Sequence, residues 1–318
     1  MRYVLRADAS ESIGSGHVMR ISAIAEELIA RGADVAFVGH IVGLPWVTER
    51  ITSLGFRSVC TEPRNFISNP SSDSLILDSY QIPVDDWFLA EENWLNIITI
   101  VDESTPNYRC SLRIHPSLES TWAGNSITPT LIGPKYIPLR SSLSGLAPES
   151  NHESHKLQIA LVAGGSDPHG VVPEVAKILS RFSESFDAHM FSNYPAEGTL
   201  DSRFQQHGIG LHLDELTKNV DLVLTTSSTS SLEFLARGHC VGIICAVENQ
   251  RQYYDSLGRL GVAAKIGIRD LQNNWSFDHE KIQLLITSRV MREALKDRAK
   301  NLIDFKGSSR IVDAILSI

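Results

Sequence analysis

One histidine near the start of the chain stands among groups that could make it a base. The stretch Arg6-Ala7-Asp8-Ala9-Ser10-Glu11-Ser12-Ile13-Gly14-Ser15-Gly16-His17-Val18-Met19-Arg20 places His17 at the mouth of a glycine-containing turn that also carries Asp8, Ser10 and Arg20. An imidazole titrates near neutrality, so it can take a proton from water or a hydroxyl. Gly14 and Gly16 would let a phosphate approach the backbone and meet the free N–H groups of a helix start. Asp8 is expected to orient His17, to bind a substrate amide, or to accept backbone N–H bonds within the turn. Arg6 and Arg20 either hold charge for a ligand or pair with Asp8 and Glu11. Tyr80 follows the run Leu75-Ile76-Leu77-Asp78, where it would bind substrate, place a water, or lie as an aromatic lid over a sheet edge.

A second set of polar residues suits an anion. Gly164-Gly165-Ser166-Asp167 and Thr226 to Ser231 each precede a helical pattern. Gly165, Ser166, Ser230 and Ser231 would offer N–H and hydroxyl donors to a pyrophosphate without a metal. Serine and threonine that merely cap the helices are equally physical there. Glu233, expected in the first turn of its helix, could accept from two hydroxyls at once or favour the helix dipole. Asn249 and Gln250 follow a strand as loop amides. His152, His155, His212 and His239 read as linker or packing residues. No His, Asp or Glu cluster has a metal-ligand spacing, so neither a metal nor a cofactor is expected.

The elements that must position these groups alternate in type. Tyr3-Val4-Leu5 reads as a strand, and Val18, Ile21, Ile24, Ala25, Leu28 and Ile29 fall on one helical face. Val35–Val38, Leu75–Asp78 and Asn96–Asp102 read as strands, and Pro45–Leu54 and Asp85–Asn96 as helices. After a Ser-, Gly-, Pro- and Asn-rich stretch the pattern restarts. Leu157–Val162, Ala188–Phe191, Gly210–Leu213, Asp221–Thr225 and Val241–Ala246 read as strands, with helices over Val171–Phe182, Ser231–Arg237 and much of Ala294–Ile318. The βαβ rhythm implies an α/β protein of two Rossmann-like, doubly wound domains facing a cleft. The boundaries read as 1–140 for the first domain, 141–155 for a linker and 156–318 for the second. A cleft between them is the expected ligand site.

Composition narrows the class. The chain has 318 residues, 42% hydrophobic and 21% charged, as in ordinary globular proteins. The net charge of −8, from 29 Lys+Arg against 37 Asp+Glu, argues against nucleic-acid binding. No apolar run approaches the ~20 residues of a membrane span, and no signal-peptide core precedes the first strand, so a cytoplasmic location is expected. Cys60, Cys110, Cys240 and Cys245 are scattered and read as reduced thiols. The residues leave the oligomeric state open, a monomer included. Met19 stands where the dinucleotide fingerprint needs its third glycine, which argues against a nicotinamide or flavin enzyme. There is also no Walker A sequence and no Gly-x-Ser-x-Gly elbow.

The arrangement Arg6-x-Asp8-x-Ser10-x-x-Ile13-Gly14-x-Gly16-His17-x-x-Arg20 resembles the N-terminal signature of the UDP-sugar hydrolases of the pseudaminic acid pathway. These are relatives of MurG-type glycosyltransferases with the two-domain GT-B fold. The resemblance continues along the chain in Asp78-Ser79-Tyr80, Val101-Asp102-Glu103, the segment Gly133 to Arg140, Gly164 to Pro168, Ser230-Ser231-Leu232-Glu233 and Glu248-Asn249-Gln250. It implies release of UDP from UDP-2,4-diacetamido-2,4,6-trideoxy-β-L-altropyranose, with His17 as the base that activates water for inversion. It likewise implies a ribose-binding role for Glu233 and sugar or diphosphate contacts for Asn249 and Gln250. His239-Cys240 and Glu103 depart from the family pattern, which bears on the identity of the sugar. Two other functions fit the same residues. One is a glycosyltransferase with a hydroxyl acceptor in place of water, for which Ile41–Trp46 could form an apolar acceptor patch or simply a buried helix start. The other is a nucleotide-sugar-binding protein without turnover.

Overall fold

In the computed structural model, residues 1–102, 105–119, 127–146, 156–194 and 200–318 are described. They form two units, Met1–Ser141 with Asp304–Ile318, and Ser142–Ile303. The expected boundaries differ mainly at the C-terminus, because the last helix belongs to the first unit. Residues 147–155 of the expected linker, with His152 and His155, lie outside the described residues, as does Glu103.

The first unit carries strands β1 (Arg2–Arg6), β2 (Ala9–Ser10), β3 (Asp34–Val38), β4 (Ile41–Val42), β5 (Ser58–Cys60), β6 (Asp73–Leu77), β7 (Asn96–Ile100), β8 (Leu112–His115) and β9 (Thr130–Ile132), with helices α1 (Gly16–Ala30) and α2 (Pro45–Ser53). Seven of these strands form a parallel sheet in the order β5-β3-β1-β6-β7-β8-β9, while β2 and β4 pair in a two-stranded ribbon. Alternation along β1 shows why both faces are covered: Tyr3 and Leu5 pack with Val18, Ile21, Ile24, Ala25 and Leu28 of α1, whereas Val4 packs on the opposite face with Leu75 and Leu77.

Among the described residues, the opposite face is covered without an α-helix. Asp85–Asn96, expected as a helix, forms two 3₁₀ turns, Trp87–Leu89 and Glu91–Asn93, followed by β7. Its buried residues Phe88, Leu89 and Trp94 do not repeat at the helical period. The Asp86 carboxylate accepts the Phe88 N–H, and the Trp94 indole donates to the Phe88 carbonyl, which ties the segment into a compact aromatic layer.

The second unit carries β10 (Leu157–Val162), β11 (Phe186–Phe191), β12 (Phe204–His207), β13 (Leu222–Thr226), β14 (Cys240–Cys245), β15 (Ala264–Arg269) and β16 (Trp275–Phe277), with helices α3 (Val171–Leu179), α4 (Leu213–Leu216), α5 (Thr229–Ala236), α6 (Arg251–Leu260), α7 (His279–Thr287) and α8 (Arg289–Ala299). The sheet order is β12-β11-β10-β13-β14-β15-β16, parallel throughout except for the antiparallel β15–β16 pair. Gly210–Leu213, expected as a strand, is a turn leading into α4, and the edge strand lies earlier at Phe204–His207. Helix α9 (Gly307–Ile315) then returns to the first unit, where Ile311, Val312 and Ile315 join the cluster of Leu5 and Val18, and the Ser308 hydroxyl donates to the Leu139 carbonyl.

In both sheets the strand order reverses beside the first strand of the unit, at β1–β6 and at β10–β13. In open parallel sheets, ligands bind at the carboxyl ends of the strands around that reversal. His17 and Asp78 follow β1 and β6; Gly164–Asp167 and Ser227–Ser231 follow β10 and β13.

Candidate active site

The turn after β1 is built by its own small residues. The Gly14 N–H donates to the Ser10 carbonyl at 2.8 Å, and the Ser10 hydroxyl accepts the Ile13 N–H at 3.1 Å. Gly14 has φ +81°, a conformation that L side chains rarely adopt. Gly16 then opens α1, which places His17 and Arg20 one turn apart on the same face. The helix is buried all round from His17 to Ala25, polar side included: His17 and Arg20 are 7% and 8% exposed.

That polar side meets Asp78, the residue after β6, which is 1% exposed. Its N–H donates to the Arg6 carbonyl, so the strand ladder itself fixes its place. Asp78 Oδ1 lies 2.6 Å from His17 Nδ1 and 2.7 Å from Arg20 Nη2, and Oδ2 lies 2.8 Å from Arg20 Nε. Burial alone would raise the Asp78 carboxyl, but the Arg20 guanidinium and then His17 hold it below the ordinary carboxylate value. For Arg20, burial opposes the charge and Asp78 overcomes it, leaving its pKa well above normal. An ionised carboxylate only accepts, so the 2.6 Å contact requires a proton on Nδ1. The 3.1 Å separation of Arg20 Nη2 from His17 Nδ1 is then the meeting of two donors on one oxygen. With Nδ1 protonated, the neutral ring carries its lone pair on Nε2.

Tyr80 and Asp102 extend this cluster. The Tyr80 ring meets the His17 ring edge to face, with centroids 4.3 Å apart. The Tyr80 hydroxyl donates to Asp102 Oδ2, and burial, followed by the neighbouring carboxylates, raises its pKa. Asp102 follows β7; its Oδ1 accepts from the Thr105 hydroxyl at 3.2 Å, and its Oδ2 lies 3.9 Å from Arg20 Nη1.

The contacts in the structure sort the alternatives expected for Asp8, Arg6 and Arg20. Asp8 pairs with Arg6 and accepts the His40 N–H at 2.7 Å, so it ties the loop after β1 to the loop after β3, and the carboxylate that orients His17 is Asp78. Arg6 has its expected partner in Asp8, whereas Arg20 is held by Asp78 in place of Glu11. Asp78 and Asp102 are the residues that sequence reasoning left without a role. Both end an apolar strand run, and two acids ending neighbouring strands of a parallel sheet are the signal that points to them. The Ile41–Trp46 stretch divides: Val42 is exposed, while Leu44 is buried at the start of α2 and Trp46 packs against the core.

In the second unit the corresponding side chains bond largely to backbone, with the Ser192 hydroxyl also 3.4 Å from Asp167 Oδ2 and the Thr226 and Ser228 hydroxyls 3.1 Å apart. Asp167, fully buried at φ +50°, accepts the Val171 and Val172 N–H groups at 2.7 and 3.1 Å and so caps α3. Burial outweighs these bonds and raises its pKa to about 6. Ser166 is buried beside it and Gly165 half-buried. The Ser227 hydroxyl donates to the carbonyls of Ile244 and Gln250, Ser231 to the carbonyl of Ser228, and Gln250 Oε1 accepts the Ala246 N–H. Ser228, the N-cap of α5, makes no side-chain cap bond, so the expected capping of this helix is not made by that residue. Ser230 is half-buried and Asn249 exposed. Glu233 lies beyond the first turn of α5, which starts at Thr229, so it does not serve the helix start as expected. His239 is buried, its Nδ1 against the Val220 carbonyl, and burial lowers its pKa to about 3. Among the described residues, no group of three or more His, Cys, Asp or Glu is placed to hold a metal ion, and no helix is long and apolar enough to cross a membrane.

No protein-family model matches the chain. It is 24% identical to the uncharacterized protein MJ1062 of Methanocaldococcus jannaschii, an alignment covering 90% of this chain and 64% of that protein, so the chain spans less than two thirds of its relative's length. Among solved structures it resembles MurG of Acinetobacter baumannii (TM-score 0.62, 11% identity, all of both chains) and the spinosyn forosaminyltransferase SpnP (TM-score 0.65, 11% identity, all of both chains). It also resembles S. aureus MnaA solved with UDP (TM-score 0.61, 12% identity, 99% of this chain and 95% of that one). The fold is therefore that of the GT-B glycosyltransferases, with two Rossmann-like domains.

Proposed function

We propose that the chain is a hydrolase that splits a UDP-linked 2,4-diacetamido-2,4,6-trideoxy sugar into UDP and free sugar, supplying nonulosonic acid synthesis. The observation that carries this reading is the buried Asp78–His17 pair, whose 2.6 Å contact leaves Nε2 as the proton acceptor at the carboxyl edge of a parallel sheet. Water attacks the anomeric carbon with inversion, forming a new C–O bond, and its proton passes to His17 Nε2. The bond from that carbon to the diphosphate oxygen breaks, and its electron pair leaves with UDP. The Gly164–Ser166 turn and the start of α5 offer backbone N–H groups that favour an anion such as a diphosphate. The resemblance of the Arg6 to Arg20 stretch to UDP-sugar hydrolases supports water as the acceptor.

A glycosyltransferase is the second reading, favoured by the names of the structural neighbours. The same pair would then take the proton of an acceptor hydroxyl. Incubation with UDP-sugars, without acceptor or added metal, separates the readings. Hydrolysis requires UDP release under those conditions, unaffected by chelator and abolished by His17→Ala. Release only after an acceptor is added would favour transfer. UDP binding without turnover under either condition would leave a binding protein.

A further inference from the structure

The proposed chemistry leaves Arg20 without a task, although it is among the most constrained side chains of the first unit. Its guanidinium grips Asp78 with two hydrogen bonds, at 2.7 and 2.8 Å, and its third nitrogen lies 3.9 Å from Asp102. Among the described residues, the charged or titratable side chains packed around the His17 ring are Asp78 and Tyr80 from the loop after β6, and Arg20 from α1 itself, with Asp102 behind Tyr80 and Arg20 from the loop after β7. A carboxylate in hydrogen-bond contact with an imidazole favours the imidazolium. Alone, Asp78 would tend to hold a second proton on His17 and remove the lone pair that a base needs. Arg20 Nη2 stands 3.1 Å from Nδ1, so its positive charge beside the ring opposes the second proton, on Nε2, that Asp78 promotes.

We infer that Arg20 is a positioning residue that keeps His17 a base, by turning Asp78 so that it takes the Nδ1 proton and by supplying the counter-charge that keeps Nε2 free. The planar fork of arginine performs both tasks, whereas a lysine ammonium supplies the charge but not the two-point grip. This inference rests on the reading of His17 as the base, but its main test does not depend on turnover.

The full chain with ¹⁵N-labelled histidine would be titrated by NMR, the His17 signals being identified by their loss in His17→Ala. In the unsubstituted chain the neutral His17 ring shows a protonated Nδ1 and a bare Nε2. Arg20→Gln raises the His17 protonation midpoint by about one to three pH units. Asp78→Asn, which leaves Arg20 in place, lowers it, and Arg20→Lys brings it back toward the unsubstituted value. Should Arg20→Gln fail to fold, Arg20→Lys decides through the tautomer: keeping the charge but losing the two-point grip on Asp78, it should show the neutral-ring proton shared between Nδ1 and Nε2, and an unchanged Nδ1 tautomer overturns the inference. A structural role alone would leave the midpoint of folded Arg20→Gln within about half a unit of the unsubstituted value, and that result, or a downward shift in Arg20→Gln, overturns the inference. UDP release measured against pH separates the two ideas. If both hold, the acid limb of kcat/KM moves up in Arg20→Gln in step with the NMR midpoint. A moved midpoint with no UDP release from any UDP-sugar sinks the hydrolase reading and leaves the role of Arg20 standing.

Discussion

The carboxyl edges of the two sheets use polar side chains in opposite ways. In the first unit His17, Arg20, Asp78, Tyr80 and Asp102 bond to one another, side chain to side chain. In the second, Ser227, Ser231 and Gln250 bond to backbone groups and Asp167 accepts two backbone N–H groups, with the Ser192 hydroxyl on Asp167 and the Thr226–Ser228 hydroxyl pair as side-chain contacts. A side-chain network of the first kind sets the charge and tautomer of a reactive ring. Bonds of the second kind set the shape of a loop and leave its backbone to meet a ligand. In the proposed reaction the first edge serves proton transfer and the second anion holding.

Substitutions that strike the two edges should therefore fail in different ways. The largest effect is expected from His17→Ala, which removes the base but leaves the Asp78–Arg20 pair intact. Turnover of the UDP-sugar should fall by about 10²- to 10⁴-fold, while UDP affinity measured by calorimetry stays near that of the unsubstituted protein. An equal loss of UDP affinity would erase the division of labour.

Asp78→Ala tests whether the first edge is held by its charges. It leaves Arg20 buried without its principal counter-ion, so denaturant titration should show a loss of about 3–5 kcal/mol in the first unit. A loss below about 1 kcal/mol, the range of exposed pairs, would mean that the cluster is far more hydrated than its burial implies.

The second edge should respond to pH through Asp167. Its carboxyl titrates at about 6 when folded, above the ordinary aspartate value, so the native state holds this proton more tightly than the unfolded chain. The group therefore stabilises the fold fully below the ordinary value, and that contribution is lost as pH rises through about 6. Asp167→Asn, tolerated at positive φ, removes this titration. Its stability relative to the unsubstituted protein should rise by on the order of 1–3 kcal/mol between pH 4 and pH 7. A pH-independent difference would show that the two backbone N–H bonds offset the cost of burial. The smallest effect is expected from Ser231→Ala, which removes the hydroxyl bond to the Ser228 carbonyl and should cost about 0.5–1.5 kcal/mol in the same titration. It should leave the pH limbs of turnover in place.

Much of the fold was legible in the sequence because parallel strands buried on both faces read as short apolar runs, and Gly14 and Gly164 mark the turns after the first strand of each unit. Asp85–Asn96 departs from the expected helix because aromatic burial, not helical periodicity, organises it. The place of α9 could not be read from its own sequence, since Ile311, Val312 and Ile315 would serve any apolar groove. The site was legible in part. His17, Arg20 and Tyr80 are legible by residue type, but the acid near His17 in sequence is Asp8, whereas its neighbour in space is Asp78. The pairing of β1 with β6 brings Asp78 to His17 across 61 residues of chain, a proximity that local spacing does not reveal.

The central claim is that His17 directs water to the anomeric carbon. Hydrolysis of the UDP-sugar in H₂¹⁸O, followed by mass spectrometry of both products, tests it most directly. One ¹⁸O atom should appear in the released sugar and none in UDP, with label incorporation lost in His17→Ala. Label in the phosphate of UDP, or a rate of incorporation unchanged by His17→Ala, would contradict it.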